Sequence, residues 1–409
     1  MSMSDAELGA LAVACGSITP DIANCLKSLV SIPSVNGIDT EAAVAEQLIA
    51  AARDLGLAAD TVASDPARPN ALVSWGRGPA RFVLVGHMDT VATGDPSAWS
   101  SPPFAGEIHG GRVIGRGTAD NKAGLACGLH TLAVLRDRGI LDPDAVQVIL
   151  AGVVDEESGA CSTLGARYLL DQGLLQPARG AIYTYASDFV CVGHRGLLRL
   201  VLSARGEAIH SGSGAWARGE AGVNAVTGLA DVLLRLEALD VPAPQHPAFA
   251  KLRCTLTPGT LFSGGQFESV VPPSAEALVD VRLMPGQTAE QILALVDAAI
   301  GEAQTVRPGL SVSVRVKNDL PAAAIPLDHP LAELAQRHAE AVTGVAWPIA
   351  GAGPANEGYM LIEAGIPTLA GFGPTGGNAH APDEWVDVES LGRTVAIYTA
   401  IIEDYLGRD

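Results

Sequence analysis

Runs of β-branched and small apolar residues alternate along this chain with segments whose apolar residues recur at helical spacing. The run 148–154 predicts a strand buried on both faces, and residues 71–75 and 82–85 predict two more strands. Residues 40–55 and 125–136 have the spacing of helices with one apolar face. Strands that alternate with helices predict an α/β fold, in which helices flank a mixed sheet.

The pattern changes at residue 196 and changes back near residue 321. Between these points the predicted order is strand, helix, strand, strand, helix, strand, at residues 197–204, 223–239, 251–260, 275–283, 288–303 and 310–316. This β-α-β-β-α-β order is typical of a ferredoxin-like module. The sequence therefore predicts a domain in two parts, 1–195 and 321–409, interrupted by an inserted domain, 196–320.

Composition narrows the range of partners. A chain of 409 residues is too long for one hydrophobic core, which supports two domains. The formal charge of −19 argues against nucleic acid and anionic membranes as partners. The six cysteines form no CxxC pair, which disfavours a disulfide framework or a thiolate zinc site. Without a recognisable signal peptide or apolar span, we expect a cytoplasmic, soluble protein.

Polar side chains follow two of the predicted strands. Asp155, Glu156 and Glu157 end the run 148–154, and His87 and Asp89 follow the strand 82–85. Ligands of α/β proteins bind beyond the carboxyl ends of the strands. One carboxylate could hold a metal while its neighbour acts as a general base. The alternatives are an acidic loop after a core strand and a histidine satisfied by local hydrogen bonds.

Three further positions are candidates for chemistry. Asp120 lies in a glycine-rich turn before a helix, where it could cap the helix or bridge two metal ions. His380 lies in a glycine-rich loop after a short predicted strand, a setting that favours a functional role. Asp280 and Arg282 share one face of a strand in the inserted domain, where a structural ion pair is the alternative.

Taken in order, these motifs resemble the M20 metallopeptidase family. The segments that carry the resemblance are HMDT, GRGTADNKAG, VVDEESG, HSG, DVRLMPG and HAPDEWV, from about residue 20 to the end. The resemblance implies a metal-dependent hydrolase that cleaves the amide bond of a small substrate with a C-terminal carboxylate, either a dipeptide or an N-acyl amino acid. It implies two divalent ions, with Zn²⁺ expected first and Co²⁺ or Mn²⁺ as alternatives. It also implies that residues 196–320 form a lid and homodimerisation domain, and the rest the catalytic domain.

The resemblance also assigns roles to residues. The metal ligands correspond to His87, Asp120, Glu157, Asp188 and His380. Glu156 corresponds to the general base, and Asp89 to the residue that orients His87. In the inserted domain, His210 corresponds to a histidine that polarises the scissile carbonyl across a dimer, and Arg282 to an arginine that grips the substrate carboxylate. The peptide between Asp120 and Asn121 corresponds to a cis bond.

Three positions depart from the family pattern. Thr184 stands where the family usually has a glutamate ligand, so we expect Asp188 to replace it. Ser269 replaces an asparagine expected before Val-Val-Pro, and Asn356 stands near a usual aspartate; both are expected at the substrate. Two alternatives to this general amide hydrolase stay open. One is a narrow N-acyl-amino-acid deacylase, and the other is a catalytically silent binding protein on the same fold.

Overall fold

The computed structural model describes residues 3–159 and 163–407. The chain forms two compact units. The first comprises Met1–His194, Ala323–Ala352 and Asn356–Asp409, and the second comprises Arg195–Ala322 and Gly353–Ala355.

Helices and strands alternate through most of the first unit. Its helices are α1 (Asp5–Ser17), α2 (Thr19–Val30), α3 (Ala42–Asp54), α4 (Ala123–Arg138), α5 (Ala166–Asp171), α9 (Pro330–Thr343), α10 (Gly358–Glu363) and α11 (Val388–Leu406). Its strands are β1 (Ala58–Val62), β2 (Asn70–Gly76), β3 (Ala80–His87), β4 (Glu107–His109), β5 (Arg112–Ile114), β6 (Val146–Val153), β7 (Gly180–Tyr183), β8 (Val190–His194), β13 (Ala323–Ala324), β14 (Ile349–Ala352), β15 (Thr368–Leu369), β16 (Gly376–Gly377) and β17 (Trp385–Asp387).

The main sheet of this unit is mixed, which confirms the predicted fold class. Its strand order is β1-β2-β6-β3-β7-β15. Strand β3 pairs in parallel with both β6 and β7, whereas β2 pairs antiparallel with β6. The apolar run in β6 is buried almost throughout, as expected for a central strand. Two smaller sheets have the orders β13-β8-β14 and β16-β17-β5-β4.

Buried helices complete the core of the first unit. α4 and α11 are buried along most of their length and contact each other. α1 begins with a capping box, in which Ser4 and Glu7 bond to each other's backbone N–H groups. No single described helix is long and apolar enough to cross a membrane, although the bent pair α1–α2 passes that test jointly by length and composition.

The second unit has the predicted β-α-β-β-α-β order. It contains β9 (Gly196–Arg205), α7 (Ala225–Glu237), β10 (Thr255–Gly264), β11 (Ser274–Leu283), α8 (Ala289–Val306) and β12 (Ser311–Leu320), with a short helix α6 (Gly214–Ala217) before α7. The sheet is antiparallel with the order β10-β11-β9-β12, which is the ferredoxin-like arrangement. Asn224 caps α7, and a capping box formed by Thr288 and Gln291 begins α8.

Two elements are shorter in the structure than the apolar pattern predicts. The pattern predicts a helix over 163–172 and a strand over 366–372, whereas the structure has α5 (Ala166–Asp171) and β15 (Thr368–Leu369) there. Residues 160–162, which follow the acidic turn, lie outside the described residues.

Candidate metal centre

Three neighbouring parallel strands end on one side of the main sheet. β3 ends at His87, β6 is followed by Asp155, Glu156 and Glu157, and β7 is followed by Thr184 and Tyr185. Because β3 lies between β6 and β7, these ends are adjacent. This is the edge at which α/β sheets bind ligands.

The structure brings His87, Asp120 and Glu157 together. Each offers one ligand atom, and these atoms lie within 4.8 Å of one another. Among residues 3–159 and 163–407, this is the one group of three or more such side chains. His87 Nε2 is 2.7 Å from Asp120 Oδ1. His380 joins the group from its loop, with Nε2 3.1 Å from Glu157 Oε1 and 3.2 Å from Asp120 Oδ2. Four of the five predicted ligands therefore lie together.

Local hydrogen bonds select the ligand atom of His87. Its Nδ1 donates to the backbone carbonyl of Asp89 at 2.9 Å, whereas the Asp89 carboxylate is 3.5 Å away. A carbonyl can only accept, so Nδ1 carries a proton; Nε2, which here donates to the Asp120 carboxylate, is the nitrogen that would bind a cation after losing its proton. Asp89 thus contacts His87 through its backbone carbonyl, and its carboxylate is the more distant contact.

The Asp89 carboxylate instead holds the acidic turn. It accepts hydrogen bonds from the backbone N–H groups of Glu156 (3.2 Å) and Glu157 (2.9 Å). It also accepts one from Asn36 Nδ2 at 2.7 Å, and the same amide donates to Asp155 Oδ1 at 2.9 Å. Asp89 thereby fixes the backbone that presents the predicted base and the predicted ligand.

An arginine supports the same turn from outside. Arg68 donates through Nε to Glu41 Oε2 at 2.8 Å, through Nη2 to Glu41 Oε1, and through Nη1 to Asp155 Oδ1 at 2.8 Å. Glu41 in turn accepts the backbone N–H of Asp155 at 3.1 Å. Asp155 has a φ of 64°, an uncommon conformation for a residue with a side chain. The network stabilises this turn, and no local sequence pattern indicated a role for Asn36, Glu41 or Arg68.

Glu384 organises the turn that carries Asp120. Its Oε1 accepts the backbone N–H groups of Ala119 (2.8 Å) and Asp120 (2.9 Å), and its Oε2 accepts that of Gly117 (3.1 Å). Arg116 Nη1 lies 2.6 Å from Oε2, and both side chains are buried. The peptide between Asp120 and Asn121 is cis, as the resemblance implied. Asp120 is thus held by a residue four positions after His380.

Charge is concentrated in this cluster. Burial opposes ionisation of Asp120, but hydrogen bonds from His380 and His87 hold its pKa below the usual range. Contacts with Asp120 and then Glu157 raise the pKa of His380 to about 10. Burial raises the pKa of Glu156 well above its usual range, opposed by His87 and reinforced by Glu157 and Asp120. The carboxylates of Asp120 and Glu157 therefore stabilise the protonated form of His380 at the place where a cation would bind.

The donors in this cluster fit a divalent cation. Imidazole nitrogen and carboxylate oxygen are ligands that Zn²⁺ accepts, and a catalytic zinc site uses three protein ligands. His87, Asp120 and Glu157 supply that number, and His380 offers a fourth ligand atom at its half-exposed edge.

The structure does not bring Asp188 into the group. Asp188 is exposed in the loop before β8. Asn356 caps the start of α10: its Oδ1 accepts the N–H of Gly358 at 2.9 Å and its Nδ2 donates to Ala370 O at 2.6 Å. The role of Asp188 as a metal ligand and the role of Asn356 at the substrate stay predictions.

The remaining predicted residues belong to the second unit. His210 and Ser269 are exposed neighbours, since His210 forms a β-bridge with Val270 and Ser269 O accepts the N–H of Ser211 at 2.8 Å. Arg282 Nε donates to Asp280 Oδ1 at 2.9 Å, so the ion pair named above as the alternative is present. A cavity of about 270 Å³ on this unit includes Asp280 in its lining. The roles of His210, Ser269 and Arg282 stay predictions.

Similarity to known proteins supports the interpretation of the cluster. Residues 83–404 match the sequence profile of peptidase family M20/M25/M40. The chain belongs to this family. It is 28% identical over 347 residues to a succinyl-diaminopimelate desuccinylase of Cereibacter sphaeroides, covering 82% of this chain and 87% of that one.

Solved M20 structures have the same fold. The metallo-carboxypeptidase Sso-CP2 of Sulfolobus solfataricus has a TM-score of 0.75 at 18% identity, covering 93% of this chain and 98% of that one. A Bacillus subtilis protein described as a dinuclear metal-binding M20 peptidase has a TM-score of 0.70 at 14% identity, covering 96% and 99%. Family membership identifies the chain as a hydrolase that acts on amide bonds and argues against the silent binding protein.

Proposed function

We propose that this M20 protein hydrolyses the amide bond of a small substrate that carries a free carboxylate, with a divalent cation, Zn²⁺ first, at the His87 cluster. The observation that carries the proposal is the convergence of His87, Asp120 and Glu157 within 4.8 Å beside Glu156. A bound cation would act as a Lewis acid and lower the pKa of water towards neutrality.

The chain's own residues supply the proton transfers. Glu156 accepts a proton from the attacking water and delivers it to the leaving nitrogen. Its backbone is fixed through Asp89, so that its carboxylate remains beside the ligands while it gains and loses a proton. Burial favours the protonated form of Glu156, which suits its second role as the acid.

The base is tested by Glu156→Gln, which keeps the shape of the side chain and removes its basicity. We expect kcat to fall by about 10²–10⁴-fold while metal content is unchanged. Glu157→Gln is the matched control in the adjacent residue, and it should lower metal affinity. Full turnover by Glu156→Gln at normal metal content would exclude Glu156 as the base.

The substrate class is a dipeptide or an N-acyl amino acid, and the desuccinylase relatives favour the acyl branch. A panel of N-succinyl and N-acetyl amino acids, dipeptides and their C-terminal amides separates these possibilities. Loss of turnover on the amides alone is expected if a carboxylate is recognised. Equal turnover of acids and amides would contradict that requirement.

We further propose that the inserted domain, residues 196–320, is a lid and dimerisation domain. It would supply His210 to polarise the scissile carbonyl and Arg282 to bind the substrate carboxylate. Arg282→Met should raise KM for carboxylate substrates, because the guanidinium would no longer pair with them. Sedimentation analysis should find a homodimer. A monomer with full activity would overturn a role for His210 across a dimer.

A further inference from the structure

The residue after β7 that faces the ligand cluster is Tyr185, and not Thr184. Thr184 Oγ1 donates to Val85 O at 3.0 Å, within the sheet. The same residue packs against helix α4, since a Cβ on Gly124 would lie 1.8 Å from Thr184 O and 2.4 Å from Oγ1. Tyr185 extends the other way, and its hydroxyl donates to Asp120 Oδ2 at 3.1 Å.

The cluster provides ligands for one ion. Two ions that share one carboxylate and have three protein ligands each require five ligand residues. Within the described residues, the cluster offers His87, Asp120, Glu157 and His380. Asp188 is exposed and does not join them. The side chain after β7 that contacts the cluster is the phenol of Tyr185, and not the expected carboxylate of Asp188.

Tyr185 acts on the oxygen of Asp120 that faces away from His87. Asp120 Oδ1 is next to His87 Nε2, whereas Oδ2 accepts the Tyr185 hydroxyl and lies 3.2 Å from His380 Nε2. A tyrosine keeps its proton at neutral pH and is then a donor, unlike a carboxylate. The Tyr185 hydroxyl takes one acceptor site of Oδ2 and places a neutral donor where a second ion would need a further carboxylate ligand.

We propose that this centre holds a single divalent ion and that Tyr185 replaces the second ion as a hydrogen-bond donor to Asp120. The inference rests on the proposed function, because it assumes that the His87 cluster binds metal. Tyr185 is a positioning residue in this scheme: it holds Asp120 and does not touch the ion.

The test is the number of ions that the full-length chain binds. The protein is stripped with chelator and titrated with Zn²⁺ by calorimetry, and bound metal is counted after desalting. We expect one ion per chain. After loading with Mn²⁺, the electron paramagnetic resonance spectrum should be that of an isolated ion and not that of a coupled pair. Two ions per chain would overturn the inference and leave the proposed function intact. No ion would overturn both.

Variants separate Tyr185 from the other candidates. Tyr185→Phe should still bind one ion, and Asp188→Asn is the matched control that should also bind one. Tyr185→Glu restores a carboxylate and should bind two ions. Loss of an ion in Tyr185→Phe or Asp188→Asn would contradict the proposal, as would a folded Tyr185→Glu that binds one ion. If Tyr185→Glu does not fold, the counts for the other three proteins still decide.

Discussion

The carboxylate of Glu384 fixes the backbone that carries Asp120. It accepts three backbone N–H groups and pairs with buried Arg116. Glu384→Ala would leave these donors and a buried guanidinium without their partner. We expect it to lower the free energy of unfolding by about 3–5 kcal/mol, measured by denaturant titration in excess chelator.

Glu384→Gln should lower the free energy of unfolding less than Glu384→Ala does, because the amide oxygen can still accept hydrogen bonds from the backbone. Glu389→Gln is the control: its ion pair with Arg393 is exposed, with side chains 79% and 49% accessible. Such a pair contributes about 0.5 kcal/mol or less. A loss for Glu384→Ala no larger than that of the control would contradict the role assigned to Glu384.

Arg68 is expected to affect turnover through the acidic turn. Arg68→Lys removes the fork that joins Glu41 to Asp155, which lets the backbone of Glu156 shift. A displacement of about 1 Å at a catalytic group can cost 10²-fold in rate, so we expect kcat to fall by about 10- to 100-fold. Steady-state kinetics with saturated metal checks this.

Arg77→Lys is the control for Arg68, because its pair with Asp144 is exposed at 81% and 62%. Its kcat should equal that of the unmodified protein. If Arg68→Lys also retained full turnover, the turn would not depend on the Arg68 network.

The ligand cluster could be predicted because its residues follow strands, whereas the residues that hold the cluster in place could not. His87 and Glu157 each follow an apolar run, so local patterning placed both at one edge of the sheet. Arg68 and Asp155 are 87 positions apart, and Glu384 and Asp120 are 264 apart. No local pattern encodes such contacts. Tyr185 was missed because the family resemblance pointed to Thr184, and only the alternation of side chains along the strand end distinguishes the two.

At the scale of elements, the start of α4 must lie close to the end of β7. Gly124 permits this approach, because a Cβ there would lie 1.8 Å from the Thr184 carbonyl oxygen. Gly124→Ala should therefore lower the free energy of unfolding by about 1–3 kcal/mol or more, since backbone atoms have to move. Denaturant titration in excess chelator measures this effect apart from metal binding.

Gly9→Ala is the matched control in another helix. Gly9 lies within α1, and a Cβ there would meet nothing within 4 Å. Alanine at such a position should raise stability by about 0.5–1 kcal/mol. Equal effects of the two substitutions would mean that the close approach of α4 to β7 has no energetic weight.

The shortest elements could not be predicted because periodicity needs length. Strands β13, β15 and β16 have two residues each, too few to show alternation. The inserted domain was predictable because its strands have ten residues each and its two long helices have 13 and 18. These lengths allow the spacing of apolar residues to distinguish helix from strand.

For the whole molecule, metal should act as a stabilising ligand. A cation that binds the folded cluster and not the unfolded chain raises the free energy of unfolding, by about 2.7 kcal/mol at 100 times Kd. We therefore expect chelation to lower the unfolding temperature and added Zn²⁺ to restore it, as measured by calorimetry. The reason is local: the side chains of His87, Asp120 and Glu157 offer ligand atoms within 4.8 Å of one another only when the chain is folded.

The specificity of this effect is tested by Asp120→Asn, which removes the carboxylate that contacts both His87 and His380. Its unfolding temperature should not respond to Zn²⁺. Glu389→Gln, whose side chain is 79% exposed and pairs with Arg393, should respond as the unmodified protein does. A Zn²⁺ response of equal size in Asp120→Asn would place the stabilising ion elsewhere in a chain whose net charge of −19 attracts cations generally.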